Sequence, residues 1–131
     1  MNILVIDDDP AMTELLKILL QTTSAQVISA HSGKEGITIT RQLKPDIVVL
    51  DLMMPEMDGW QVCDSIRKFS EVPILVLSAL DHPGMVAAAL DAGADDYLIK
   101  PVSSGMLIAH LQNLLKRSHS FQQLTQAAPL A

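Results

Sequence analysis

The 131 residues are 49% hydrophobic and only 3% aromatic, a chain long enough for one aliphatic core and too apolar for disorder. Acidic residues outnumber basic ones, 15 to 9, leaving a net charge of −6, which argues against nucleic-acid binding by this segment. The single cysteine, Cys63, excludes an internal disulfide, no apolar run approaches the ~20 residues of a membrane helix, and the acidic N-terminus is no secretory signal, so the expectation is a cytoplasmic protein without membrane contact.

Strand-like apolar runs alternate five times with segments of helical period. Ile3-Leu4-Val5-Ile6 is a first strand, too continuous to have a wet face. Asp9 suits the N-cap and Pro10 the first position of the helix that follows. Met12, Leu15, Leu16, Leu19 and Leu20 form its apolar stripe. Val27-Ile28 reads as a short second strand. Ser32 and Glu35 fit a capping box for a second helix, which runs to Leu43 and stops at Lys44-Pro45. The third strand is Asp46 to Leu50, after which Pro55 and Asp58-Gly59 turn the chain. A third helix opens near Gly59 and carries Val62, Cys63, Ile66 and Phe69. Pro73 precedes the fourth strand, Ile74 to Leu77. The fourth helix runs from near Pro83 to Ala92, with Gly93 as its stop. Tyr97-Leu98-Ile99 is the fifth strand. The fifth helix starts at Ser103 or Ser104, aligns Leu107, Ile108, Leu111, Leu114 and Leu115, and closes on Lys116-Arg117.

This alternation predicts a doubly wound α/β domain over residues 1–117, a parallel sheet with helices on both faces. Residues 118–131 contain no Asp, Glu, Lys or Arg and read as a linker or C-terminal tail.

Polar residues interrupt the apolar runs where the strands end: Asp7-Asp8 after the first, Asp51 after the third, Ser78 after the fourth and Lys100-Pro101 after the fifth. In a parallel sheet these ends share one edge, the edge at which open α/β sheets bind ligands. Singly, each has a bland reading as a loop acid, a turn serine or a solvated lysine; together they point to a site. Carboxylates ~4 Å apart at an effective dielectric of ~20 repel by roughly 4 kcal/mol per pair. Lys100 supplies one offsetting charge, and an all-oxygen site suits Mg²⁺, which keeps waters and binds phosphate. Asp51 is then the candidate nucleophile for an acyl phosphate, with Lys100 and Ser78 directed at phosphoryl oxygens. Asp9 reads as a helix cap.

Taken in order, Ile3-Leu4-Val5-Ile6-Asp7-Asp8-Asp9, Asp51-Leu52-Met53-Met54-Pro55-Glu56-Met57-Asp58-Gly59, Ser78-Ala79 and Gly93-Ala94-Asp95-Asp96-Tyr97-Leu98-Ile99-Lys100-Pro101 resemble the receiver domain of bacterial two-component response regulators. The likeness covers about Asn2 to Arg117. It implies a flavodoxin-like (βα)5 fold in three α/β/α layers with strand order 2-1-3-4-5. It also implies that Asp51 accepts a phosphoryl group from a sensor histidine kinase or phosphotransfer protein. By the same resemblance Asp8, Asp51 and the backbone carbonyl of Met53 ligate Mg²⁺, with Asp7 acting mainly through a water. Ser78 and Lys100 clamp the phosphoryl oxygens, and the Lys100-Pro101 bond is cis, aiming Lys100 inward.

Switching is implied too: Ser78 moves toward phosphorylated Asp51, Tyr97 turns inward, and the surface of the fourth helix, fifth strand and fifth helix changes state. Such a domain is a signalling switch rather than an enzyme, catalysing only its own phosphorylation and dephosphorylation. The Gly-Ala-Asp-Asp-Tyr run is most similar to receivers attached to winged-helix DNA-binding domains, which implies an output domain, control of transcription and pairing as homodimers.

Here the chain departs from that pattern. Val86, Met106 and His110 stand at positions expected to be charged, and Asp95 and Asp96 lack basic partners on the fifth helix before Lys116-Arg117. Met85, Val86, Met106 and Ala109 are the candidate apolar docking face instead. Val102 replaces the usual Phe. Met53 and Leu80, flanking the site, are too apolar to position an attacking water, which predicts slow self-dephosphorylation. Two other readings compete: a stand-alone receiver acting by protein docking, and a haloacid-dehalogenase-like Mg²⁺ phosphatase. The second is disfavoured because the hydroxyl residue and cap expected of that family are missing.

Overall fold

The computed structural model describes residues 1–117; the linker or tail from residue 118 onward lies outside the described residues. The elements follow in the order β1 (Asn2–Ile6), α1 (Pro10–Leu19), β2 (Gln26–Ala30), α2 (Gly33–Leu43), β3 (Ile47–Leu50), α3 (Gly59–Arg67), β4 (Ile74–Ser78), α4 (Pro83–Asp91), β5 (Asp96–Ile99) and α5 (Ser104–Lys116). All four strand pairings are parallel, in the order β2-β1-β3-β4-β5.

The continuous apolar runs are explained by two cores. Successive strand residues point to opposite faces, so Ile3, Val5, Ile47, Val49, Leu75 and Leu77 pack with Leu16 and Leu20 of α1 and Leu107, Leu111, Leu114 and Leu115 of α5. Leu4, Ile6, Val48, Leu50, Ile74 and Val76 pack on the other face with Val62, Cys63 and Ile66 of α3 and Ala89 of α4. Each such aliphatic side chain contributes roughly 1.5–3 kcal/mol by leaving water. The chain winds outward from β1 to β2, then returns to place β3 on the other side of β1. That reversal opens a crevice at the carboxyl ends of β1 and β3.

Several boundaries differ from expectation. β2 is five residues rather than two, paired residue for residue with β1; as an edge strand it includes polar Gln26 and Ser29, which hide its pattern. β3 begins at Ile47; the Asp46 N–H still donates to the Asn2 carbonyl at 2.9 Å, but the Asn2 N–H goes to the Asp46 carboxylate, at 2.7 Å, and not to a backbone carbonyl. α3 ends at Arg67, so Phe69 falls beyond the helix and lies under the Arg41 guanidinium, 4.4 Å from ring centroid to Cζ. Leu15 in the α1 stripe is 44% exposed. α3 opens with a full capping box, Asp58 accepting from the Gln61 backbone and Gln61 from that of Asp58. α4 is held lightly: Ala89 is its buried residue, and its N-cap is His82, whose Nδ1 accepts from the Gly84 N–H at 3.0 Å.

One side chain ties the lower half together. Arg67 donates to the carbonyls of Gly93 (3.0 Å), Ser70 (3.2 Å) and Val72 (2.8 Å) and pairs with Asp95 at 2.8 Å. Asp95 also accepts from the Ile74 N–H. Gly93 sits at φ +118°, and a Cβ there would meet Arg67 Cγ at 2.6 Å, so the glycine serves both the turn and the close approach. Arg67→Leu is expected to cost about 3 kcal/mol, seen as a lower urea midpoint with an unchanged slope.

Candidate phosphoacceptor site

The parallel ladder runs one residue past the strands. Asp7 N–H donates to the Ala30 carbonyl, Asp51 N–H to that of Ile6, and Lys100 N–H to that of Ser78, at 3.0, 3.0 and 2.9 Å. Backbone bonds therefore anchor the first polar residue after β1, β3 and β5 at one edge. Asp7 is 3% exposed and Asp51 8%, while Asp8 faces solvent. One carboxylate oxygen from each of the three lies within 4.8 Å of the others. The Lys100 ammonium is 3.1 Å from Asp7 and 3.7 Å from Asp51, and the Lys100–Pro101 peptide is cis.

The surroundings fix these groups further. Asp7 accepts from the Asp9 N–H at 2.9 Å, and Asp9 in turn caps α1 by accepting from the Ala11 N–H. Asp51 accepts a long bond, 3.4 Å, from the Met53 N–H. Met53 itself is exposed. Ser78 is the last residue of β4, fully buried, and its Oγ accepts from the Leu80 N–H at 3.3 Å. The Tyr97 hydroxyl donates to the Leu80 carbonyl at 2.7 Å. Ser78 and Tyr97 thus grip the two polar groups of one residue's backbone. Of the sequence candidates, Asp7, Asp8, Asp51 and Lys100 converge directly; Ser78 borders them, and Tyr97 is linked through Leu80. Buried Cys63, its thiol pushed up to about 11 by desolvation, is no competing nucleophile.

Burial raises the Asp51 carboxyl above its ordinary range; Lys100 opposes the shift and Asp7 adds to it. One ammonium does not neutralise three carboxylates. A buried pair of acids beside a solvent-facing third is a donor set of oxygens only, able to hold a hard divalent cation that retains water. The raised value carries a stability consequence. The unfolded chain releases the Asp51 proton first, so stability is lost as pH rises from the ordinary carboxylate range through the folded value. Asp51→Asn is therefore expected to raise the metal-free melting temperature at pH 7, the gain shrinking as pH falls below the ordinary carboxylate range; equal melting at both pH values would contradict it.

Residues 3–112 match the family model described as response regulator receiver domain. The chain belongs to the response regulator receiver family. This receiver domain is 44% identical over 119 residues to response regulator MprA of Mycobacterium avium, covering 90% of the chain and 52% of that protein. It is 38% identical over 116 residues to transcriptional regulatory protein AfsQ1 of Streptomyces coelicolor, covering 88% and 52%. Among solved structures, the Francisella response regulator 1452 receiver domain superposes with a TM-score of 0.83 at 34% identity, over 89% of this chain and 98% of that one. The chain spans about half the length of the curated relatives it matches. Its flavodoxin-like fold and two-component signalling class stand on these likenesses.

Two partnerships near the receiver's fifth strand escaped sequence reasoning. Asp95 is engaged by Arg67 from α3, and Asp96 lies 2.6 Å from His110 Nδ1. Both acids thus have partners within the chain, one of them on α5 itself, where only neutral residues were expected before Lys116. The Asp58-x-x-Gln61 spacing did carry a readable signal for the α3 cap.

Proposed function

We propose that this receiver domain accepts a phosphoryl group on Asp51 from a sensor histidine kinase or phosphotransfer protein, with Mg²⁺ as cofactor. The observation that carries this reading is the convergence of Asp51, Asp7, Asp8 and Lys100 at one sheet edge. Asp7, Asp8, Asp51 and the Met53 carbonyl are the residues proposed to hold Mg²⁺, which when bound supplies neutralising charge to phosphoryl oxygens. An Asp51 carboxylate oxygen attacks phosphorus, the bond from phosphorus to the donor nitrogen breaks, and the donor imidazole leaves with the electron pair. Lys100 neutralises charge on the transferred group. Ser78 donates its hydroxyl to a phosphoryl oxygen. Movement of Ser78 perturbs Leu80 and hence Tyr97, which biases the α4-β5-α5 surface.

The domain then acts as a switch rather than a turnover enzyme, in the cytoplasm, controlling an attached output domain in transcription. Among the described residues no helix is long and apolar enough to cross a membrane. A stand-alone receiver working by docking is the second reading. It is favoured by Met85, Ile99 and Met106, all exposed on α4, β5 and α5, a face that would equally serve a homodimer.

The test is acetyl phosphate with Mg²⁺ followed by intact mass. One added phosphoryl group, lost in Asp51→Asn, is expected. Turnover of phosphate esters would instead indicate a phosphatase, and no modification under any condition a receiver that works unphosphorylated. Met53→Asn and Leu80→Glu are each expected to shorten the phosphoryl half-life severalfold, since a polar side chain there can orient water; an unchanged half-life would refute that.

A further inference from the structure

At the opposite edge of the sheet, where β3 and β4 begin, a cavity of about 340 Å³ is lined by Thr40, Arg41, Lys44, Pro45, Phe69, Ser70 and Val72. Its volume lies at the lower end of small-molecule sites, roughly 300–1,000 Å³. The end of α2 supplies two cations, and the segments leading into β3 and β4 supply apolar walls. No carboxylate is among the lining residues. Within the described residues neither Arg41 nor Lys44 forms an ion pair. In a chain of net charge −6, two cations outside any ion pair on one concave surface are conspicuous, although Asp46 and Glu71 adjoin the lining residues in sequence.

Thr40 donates its hydroxyl to the Gly36 carbonyl, whereas Ser70 Oγ accepts from the Val72 N–H and keeps its own O–H as a donor. The chemistry left for a ligand is cationic and apolar, with one hydroxyl donor. Arg41 stacks on Phe69, which holds its guanidinium plane while leaving its N–H edges to bind an anion. Lys44 caps α2 in the left-handed region, φ 47°.

We infer that this cavity binds a small organic anion, a carboxylate or phosphate carried on an apolar or aromatic body. The anion meets Arg41 and Lys44, and the body lies against Phe69, Val72 and Pro45. This site is separate from the phosphoacceptor edge and does not depend on that chemistry.

The experiment is a titration of the ¹⁵N-labelled protein with phenyl phosphate and with benzoate. Benzylamine and inorganic phosphate serve as the cationic and body-less controls. The expected result is saturable shifts at the amides of residues 40–44 and 69–72 with both aryl anions, and none there with benzylamine. Arg41→Gln should weaken binding about tenfold through loss of a charge-assisted hydrogen bond, and Phe69→Ala should weaken it while leaving the spectrum elsewhere folded. The inference is overturned if shifts are confined to the Asp51 edge, if benzylamine or inorganic phosphate binds as well as the aryl anions, or if Arg41→Gln changes nothing. Binding of a Glu-rich peptide without either aryl anion would overturn it in favour of a protein partner.

Discussion

Replacing Lys100 with alanine is expected to slow phosphorylation by acetyl phosphate by about 10²–10³-fold at saturating Mg²⁺, the usual effect of losing one charge-stabilising donor in a water-poor site. The reasoning begins with what Lys100 touches. Its ammonium sits between Asp7 and Asp51, itself largely buried. In the resting domain it offsets their repulsion; in the proposed transfer the same charge faces the incoming oxygens. Its loss removes both effects, and they separate experimentally. Without metal, Lys100→Ala leaves Asp7 buried with no cation, so the melting temperature falls. Added Mg²⁺ restores much of the stability, because a cation again sits among the carboxylates, yet it does not restore the rate. A variant that melts lower but is phosphorylated at the parental rate would remove Lys100 from the chemistry.

Gly59→Ala is expected to be among the most damaging single-methyl changes in the domain. A Cβ at Gly59 would lie 2.6 Å from the Asp51 carbonyl oxygen and 2.7 Å from the Leu52 Cα. Both are backbone atoms and cannot swing aside. The Gly59 N–H also bonds the Leu52 carbonyl at 2.9 Å, so the start of α3 is clamped beneath the loop that follows Asp51. Relief requires either α3 or the Asp51–Leu52 backbone to move, at about 3 kcal/mol for overpacking. Urea denaturation reads that cost, and a slower phosphorylation rate reads the displacement of Asp51. Gly105→Ala is the matched control: nothing lies within 4 Å of its Cβ. A helical alanine there should stabilise by about 0.5–1 kcal/mol. Equal effects of the two substitutions would refute the clamp.

The sheet edge was legible in sequence because parallel topology converts sequence order into position. Four apolar runs ending in Asp7, Asp51, Ser78 and Lys100 need no side-chain detail to be brought together. Lone polar partners were not legible. Nothing in the chain says that Arg67, at the end of α3, reaches the Gly93 turn and Asp95, 26 and 28 residues away. Nor does it say that His110 faces Asp96. Such pairs depend on the rotation of helices about their axes, which periodicity defines only for apolar stripes. Leu15 and Phe69 show the limit even there: both fit an apolar pattern, and both are partly exposed, at 44% and 36%. The edge strand β2 extends beyond its apolar residues Val27 and Ile28 for a related reason, since a strand paired on one side only tolerates polar residues.

α4 keeps a single residue, Ala89, fully out of water and is capped by an imidazole. For the proposed switch, reversing a two-state equilibrium from 1:99 to 99:1 takes about 5.5 kcal/mol, a demand that a deeply packed helix would add to and a thinly anchored one does not. Hydrogen exchange is therefore expected to be faster in α4 than in β1, β3 and β4, whose residues are almost all buried. The bond from Tyr97 to the Leu80 carbonyl fastens the segment that leads into α4, and the long bond from the Trp60 indole to the Met85 carbonyl reaches the helix itself, so a change in either is a meaningful fraction of what holds this region in place.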